Sequence, residues 1–136
     1  MADLSITAAN VLAASGAVIQ SGTLGATGTA GQVVYLDSST QKLRLADADL
    51  SVAAAEVVGI LLNGGGDGQP SDYVLSGGVD VGATLTVGEI YVLSGTAGGI
   101  APEADLASSD WVTVLGVATA ADNLKLSIIA SGAQVP

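Results

Sequence analysis

The residues that could support binding or catalytic chemistry fall into a few short charged stretches. Two of the three cations, Lys42 and Arg44, alternate with leucines in "KLRL". An Asp-x-Asp pair follows at Asp47 and Asp49, and "GGGDG" places Asp67 in a glycine-rich stretch. These patterns raise two chemical questions: whether the cations pair with an acidic partner, and whether the carboxylates bind calcium.

Calcium takes roughly six to eight oxygen ligands, and flexible acidic loops often supply them. Neither the Asp47–Asp49 stretch nor the loop that contains Asp67 and Asp72 has the EF-hand pattern. The loop also lacks the repeated nonapeptide of calcium-binding β-rolls. We therefore interpret these residues as solvated turn carboxylates and expect neither a metal site nor a cofactor.

The inventory of catalytic side chains is small. The chain contains no histidine and no cysteine, which excludes a Ser-His-Asp arrangement, disulfides and thiolate metal sites. Its thirteen acidic residues could supply a pair of carboxylates for glycoside cleavage, but no spacing singles out two of them. The sequence therefore predicts no catalytic residues and a protein that is not an enzyme.

The overall charge limits the partners. Three basic and thirteen acidic residues give a net charge of −10, which repels phosphate backbones and anionic membrane surfaces. One tryptophan and three tyrosines offer few platforms for stacked bases. No apolar run approaches the ~18 residues of a membrane span, and no secretory signal is recognisable. We expect no nucleic-acid or membrane partner, and synthesis in a cytoplasm.

The composition favours self-association. Only 12% of the residues are charged while 49% are apolar, against about a quarter charged in ordinary soluble domains. A chain of this kind covers part of its apolar surface by assembling with copies of itself or with another protein. The alternative is an alanine-rich monomer, because alanine raises any count of apolar residues.

The chain carries a repeated phrase. "GATGTAGQ" at residues 25–32 recurs 57 positions later as "GATLTVGE" at 82–89, and "VVGI" (57–60) recurs as "VLGV" (114–117). Glycines recur at the same spacing as Gly25/Gly82, Gly31/Gly88 and Gly59/Gly116. So many ordered matches at one spacing indicate a duplicated module.

The local patterns predict short strands. "QVVYL", "KLRL", "EVVGILL", "DYVLS", "GVDV" and "NLKLSIIA" have β-branched or alternating residues, whereas "DSSTQ" is turn chemistry and "NGGGDGQPSD" a loop. A single helical turn is possible in "ADADLSVAAA", and the glycine of "EVVGILL" indicates a bulge or close backbone approach.

These elements predict an all-β fold: a small β-barrel or sandwich built from two tandem hairpin modules with a flexible N-terminal arm. We place the arm and first strand at residues 1–24, the first module at 25–81 and the second at 82–136. Neither module alone has enough area to be stable, so the two are expected to share one core.

Five side chains are candidates for a subunit interface. Lys42 and Arg44 point away from the core if their neighbouring leucines point inward, and could meet an acidic patch on a neighbour or a host surface; the alternative is a solvated strand face. Tyr35 and Tyr91 close either the core or a subunit seam. Trp111 begins a strand and is either buried or an interface anchor. A sugar-binding module would need such aromatics exposed.

Most of the chain resembles small structural proteins of tailed-phage heads, the capsid decoration or cement proteins. The likeness lies in "MADLSITAANV", "GATGTAGQVVYLD", "EVVGILLNGGGDGQP" and "GATLTVGEIYVLSGTAGGIAPEADLASSDWVTVLGVA". It implies a non-enzymatic β-protein on the capsid exterior of a virion, often trimeric, that binds the major capsid protein and stiffens the shell.

In such proteins the N-terminal arm frequently contacts the shell. We therefore name Leu4, Ile6, Val11 and Leu12 as candidate capsid contacts. A carbohydrate-binding or structural module of a head fibre or tail is the alternative function.

Overall fold

The computed structural model describes residues 3–136, and they form antiparallel strands joined by short turns. The strands are β1 (Val11–Ala13), β2 (Val18–Thr23), β3 (Val33–Asp37), β4 (Lys42–Leu45), β5 (Val57–Leu61), β6 (Pro70–Val81), β7 (Ile90–Leu93), β8 (Ile100–Pro102), β9 (Trp111–Ala120) and β10 (Asn123–Gln134). Three single 3₁₀ turns cover Ala8–Asn10, Ala53–Ala55 and Glu103–Asp105. The all-β prediction is confirmed. Within residues 3–136 there is no helix long and apolar enough to cross a membrane.

The strands form one curled sheet in the order β4-β3-β5-β6-β10-β9-β7-β8, with β1 and β2 paired along β6. The two halves of the chain meet where β6 pairs with β10, from Val79 opposite Leu124 to Gly77 opposite Leu126. We call β2–β6 the first half and β7–β10 the second half. Each half is therefore one side of a continuous sheet rather than a separate domain.

The first half curls until its ends meet. Leu24, directly after β2, bridges to Leu43 on β4, and the curl encloses a small apolar cluster of Leu24, Val34, Leu43, Leu61 and Tyr73. These side chains come from one face of the first half. The opposite face, which carries Val33, Ile60 and Val74, packs against the second half of the chain.

The second half supplies that partner. Its inner face contributes Tyr91, Leu93, Ile100, Leu115, Leu124 and Leu126 to the main core, where Val33, Ile60 and Val74 also lie. Nearly all of these side chains are fully buried. At about 25 cal/mol per Å² of apolar surface removed from water, this shared burial is the largest stabilising contribution to the fold.

The N-terminal segment differs from the predicted flexible arm. The Leu4 amide donates to the Ile100 carbonyl and the Thr7 amide to the Gly82 carbonyl, each at 2.8 Å. β1 and β2 then pair with β6. The correction has a physical reason, since Leu4 and Ile6 are apolar side chains that pack against the main core. Residues 1 and 2 of the predicted arm lie outside the described residues.

Several local predictions are confirmed. The Ser39 amide donates to Asp37 Oδ1 at 3.0 Å in the turn between β3 and β4, as "DSSTQ" predicts. The predicted helical turn is Ala53–Ala55. "DYVLS" and "GVDV" are instead parts of one long strand, β6, because Gly77 adopts φ +91° and bends the strand without ending it.

Strand pairing repeats between the halves at the spacing seen in the sequence. In the first half Val33 pairs with Ile60 and Tyr35 with Val57; the pairs 57 positions later are Ile90 with Val117 and Val92 with Val114. Both ladders carry a bulge at the same place.

The correspondence stops at the last strand of each half. Ile60 lies opposite Val74 of β6, but Val117 lies opposite Lys125 of β10, and Lys125 is not the counterpart of Val74. The duplicated module therefore stays a prediction, supported by the pairing within β3–β5 and within β7–β9 and not by β6 and β10.

Candidate interaction surfaces

The predicted capsid contacts are divided by the structure. Leu4 and Ile6 are partly buried against the main core, and Val11 is buried at 6% exposure. Leu12 is the exception, with 65% of its surface exposed. Of these four candidates, Leu12 is the one whose side chain a partner could reach without rearrangement of the N-terminal segment.

Leu12 lies at the edge of an open groove of about 760 Å³. The groove runs between the N-terminal segment and the turn that joins β9 to β10, with Asn10 on one side and Asp122 on the other. Asp80 also lines it, and accepts a hydrogen bond from the Gly82 amide at 2.9 Å. The groove is thus a shallow, mostly polar depression with an apolar side chain and two carboxylates.

Both cations of "KLRL" have acidic partners in their own chain. The Arg44 Nε donates to Asp37 Oδ2 at 3.0 Å, and Lys42 Nζ lies 3.5 Å from Asp67 Oδ1. Hydrogen bonds from Ser39, and then the Arg44 guanidinium, lower the pKa of Asp37. Their charges are largely compensated before any neighbour arrives, and such half-exposed pairs contribute about 0–1 kcal/mol.

The aromatic side chains lie mostly inside. Tyr91 is 2% exposed, and its hydroxyl accepts a hydrogen bond from the Thr86 amide at 2.9 Å. Tyr35 and Trp111 are partly buried against the main core, and Tyr73 belongs to the small cluster of the first half. Of the two alternatives left open for Tyr91, core or subunit seam, its position is in the core.

An acidic cluster forms beside the main core. The Asp49 amide donates to Asp47 Oδ1 at 3.1 Å, and Asp110, 4% exposed, joins them from the start of β9. Burial, the neighbouring Asp49 carboxyl and the Asp110 charge raise the pKa of Asp47 to about 6. Sequence reasoning found the Asp47–Asp49 pair but missed Asp110, because only the fold brings it close.

No group of three or more potential ligand side chains within residues 3–136 has an arrangement that could hold a metal ion. The buried carboxylate of this cluster also has a partner in the chain, since Asp110 Oδ2 accepts a hydrogen bond from the Ala107 amide at 3.0 Å. The cluster therefore raises the pKa of Asp47 and is not a recognisable cation site.

A second surface was not singled out from the sequence. On β7, β9 and β10, Ile90 lies opposite Val117, which lies opposite Lys125. In the next row Val114 lies opposite Ile129. Directly paired residues project from the same side of a sheet, and this side faces away from the main core.

We call these five residues the open face. Val117 is 39% exposed and Ile129 60% exposed, Lys125 is exposed, and Ile90 and Val114 are half-buried. The valines of "WVTVLGV" were the available signal, because Val114 and Val117 lie on this side while Leu115 lies in the main core.

The strands of the open face carry a single charged residue. None of the chain's thirteen acidic residues lies in β7, β9 or β10, and Lys125 is the only charged residue of these strands. In the part of the chain from residue 3 onward, Lys125 is also the one lysine or arginine without an ion pair. The surface is therefore apolar and weakly positive on a strongly acidic protein.

Comparison with known proteins does not identify a relative. No protein-family model matches the chain, and no curated protein matches it in sequence.

Proposed function

We propose that this chain is a non-enzymatic structural protein of a bacteriophage virion, which binds the outside of the capsid as an oligomer and stabilises the shell. The observation that supports this most strongly is the open face, an exposed apolar surface on a net −10 protein of 136 residues. Exposed apolar surface of this kind is typical of assembly. The resemblance of the sequence to capsid decoration proteins supplies the identity of the assembly.

The shell contact that we propose lies around Leu12. The surrounding N-terminal segment is held by backbone hydrogen bonds at Leu4 and Thr7 and by the pairing of β1 with β6. A partner would therefore meet a preformed surface and would not have to order a free arm on docking, which lowers the entropic cost of binding. The partner that we propose is the major capsid protein. A segment of that protein would lie in the groove next to Leu12.

Stabilisation of the shell follows from multivalency. In an oligomer each copy presents one Leu12 surface, so several weak contacts act together through their effective concentration. Bridging neighbouring shell subunits raises the free energy needed to separate them, because binding favours the assembled state. We expect a trimer at a local three-fold position of the lattice.

The proposal is tested by adding the purified chain to shells that lack it and imaging the particles. We expect density on the outer lattice, and we expect Leu12→Asp to reduce apparent affinity by about a hundredfold, since one lost contact per subunit is multiplied across the oligomer. Leu50→Asp is the matched control, because Leu50 is 68% exposed and lies outside the strands. Absence of lattice density with the unmodified chain would refute the function.

A further inference from the structure

We infer that the open face is the surface through which one copy of this chain binds a second copy, and that it is not the shell contact. The inference rests on the proposed function in one respect, namely that the protein acts as an oligomer. It goes further by assigning the subunit interface to Ile90, Val114, Val117, Lys125 and Ile129. It leaves the Leu12 surface, on a different part of the molecule, for the shell.

The first argument compares the open face with the corresponding surface of the first half. By strand pairing, Ile90 and Val117 correspond to Val33 and Ile60. Val33 and Ile60 are both 0% exposed, because the second half of the chain covers them in the main core. The same pairing of apolar residues is thus fully buried in one half and partly exposed in the other.

The second argument is charge. Two copies that each carry a net charge of −10 repel one another unless they approach through surfaces without carboxylates. The strands of the open face contain no acidic residue. Contact through this surface keeps the carboxylates of the two copies apart, which a surface built on β3 or β6 would not do, since β3 carries Asp37 and β6 carries Asp72 and Asp80.

The third argument concerns Lys125. It sits beside Val117 within the apolar surface and has no ion pair with any of residues 3–136, whereas Lys42 and Arg44 each have one. An unpaired cation in an apolar contact favours a partner with acidic groups. A second copy of this chain is such a partner, with thirteen acidic residues against three basic ones.

The test is sedimentation velocity on the full chain and on variants that each add one negative charge. We expect the unmodified chain to sediment as an oligomer at micromolar concentration. Val117→Asp and Ile129→Asp should weaken self-association by roughly a hundredfold, since each would bury a carboxylate in the apolar contact between subunits. Leu50→Asp adds the same charge away from the open face and should leave association within about twofold of the unmodified chain.

Lys125→Glu is a second variant that should keep the fold, because it replaces an exposed strand residue by another charged residue of similar length. It should also dissociate the oligomer, with the thermal unfolding midpoint of the dilute protein nearly unchanged. A monomeric unmodified chain at about 100 µM, or an oligomer that survives both Val117→Asp and Lys125→Glu, would overturn the inference.

Measuring shell binding in parallel separates this inference from the proposed function. If the unmodified chain is an oligomer that the open-face variants dissociate, but it does not bind shells, the interface stands and the function fails. If it binds shells as a monomer, shell binding stands, and both the interface and the oligomeric part of the proposed function fail. Loss of shell binding on Leu12→Asp with the oligomer intact supports both.

Discussion

In the two halves of this protein, β3–β5 and β7–β9 pair in the same way but differ in whether one surface of those strands is covered. In the first half, Val33 and Ile60 of that surface are sealed in the main core. In the second half, Ile90 and Val117 occupy the corresponding pairs and remain partly exposed. Strand register therefore fixes which residues share a face, but the neighbouring element decides whether that face is buried. The unequal outcome leaves one apolar surface available for another molecule.

The largest expected effect tests what the halves have in common. A Cβ atom at Gly59 would overlap the Val74 carbonyl oxygen, and one at Gly116 would overlap the Lys125 carbonyl oxygen. We expect Gly59→Ala and Gly116→Ala each to lower the free energy of unfolding by about 3 kcal/mol, because backbone must shift at a bulge. Urea denaturation measures this. Gly68→Ala, a loop glycine with open space around it but φ +86°, should cost less; a larger loss there would contradict the account.

The next effect tests the difference between the halves. Ile60→Ala removes a fully buried side chain and should cost about 3 kcal/mol of unfolding free energy. Val117→Ala, at the corresponding position, should cost less than about 1 kcal/mol in dilute solution. If the open face is a subunit interface, the cost of Val117→Ala should grow with protein concentration while that of Ile60→Ala stays constant. Equal costs for the two variants in dilute solution would remove the distinction.

A smaller effect concerns the acidic cluster that joins the start of β9 to the first half. The folded pKa of Asp47, about 6, lies above its ordinary value of 3.8. The folded state therefore holds a proton that the unfolded chain has lost, so stability falls as pH rises from about 4 to 6 and stays lowered above that. Asp47→Asn should raise the unfolding midpoint by about 3 °C at pH 7.5, after allowance for solvent screening, and hardly at pH 4.

Calorimetry at both pH values measures this, and the neutral side chain can still accept the hydrogen bond from the Asp49 amide. An equal shift at pH 4 and pH 7.5 would show that the effect is not due to ionisation.

The smallest effect concerns the two cations of β4. Arg44→Gln removes the contact with Asp37 and should change the thermal unfolding midpoint only slightly, because both side chains are partly exposed. Self-association should be unaffected, in contrast to Lys125→Glu. Dissociation of the oligomer by Arg44→Gln would move the interface to β4, as the sequence alone had suggested.

The sequence predicts much of the fold and little of the surface. β-branched runs and turn residues located β3, β4 and β5 and the bulge at Gly59, since these depend on neighbours in the chain. The N-terminal segment was wrongly predicted as a free arm, because small uncharged residues do not show that Leu4 and Ile6 pack on the core.

The interaction surfaces required the fold. The contact of Arg44 with Asp37, the approach of Asp110 to Asp47 and the absence of an ion pair at Lys125 within residues 3–136 depend on which strands become neighbours. Periodicity identified apolar residues on both sides of β9 but could not say which side the first half would cover. Whether a side chain is buried or available to a partner depends on how the strands assemble into the sheet.

The most direct measurement uses the absence of native cysteine. Ile129→Cys and Leu50→Cys place a thiol at positions with similar exposure, 60% and 68% in the unmodified chain. The rate of maleimide labelling should fall with rising protein concentration at position 129, as a second copy covers it, and stay constant at position 50. Labelling of both thiols at the same constant rate from nanomolar to about 100 µM protein would contradict the account.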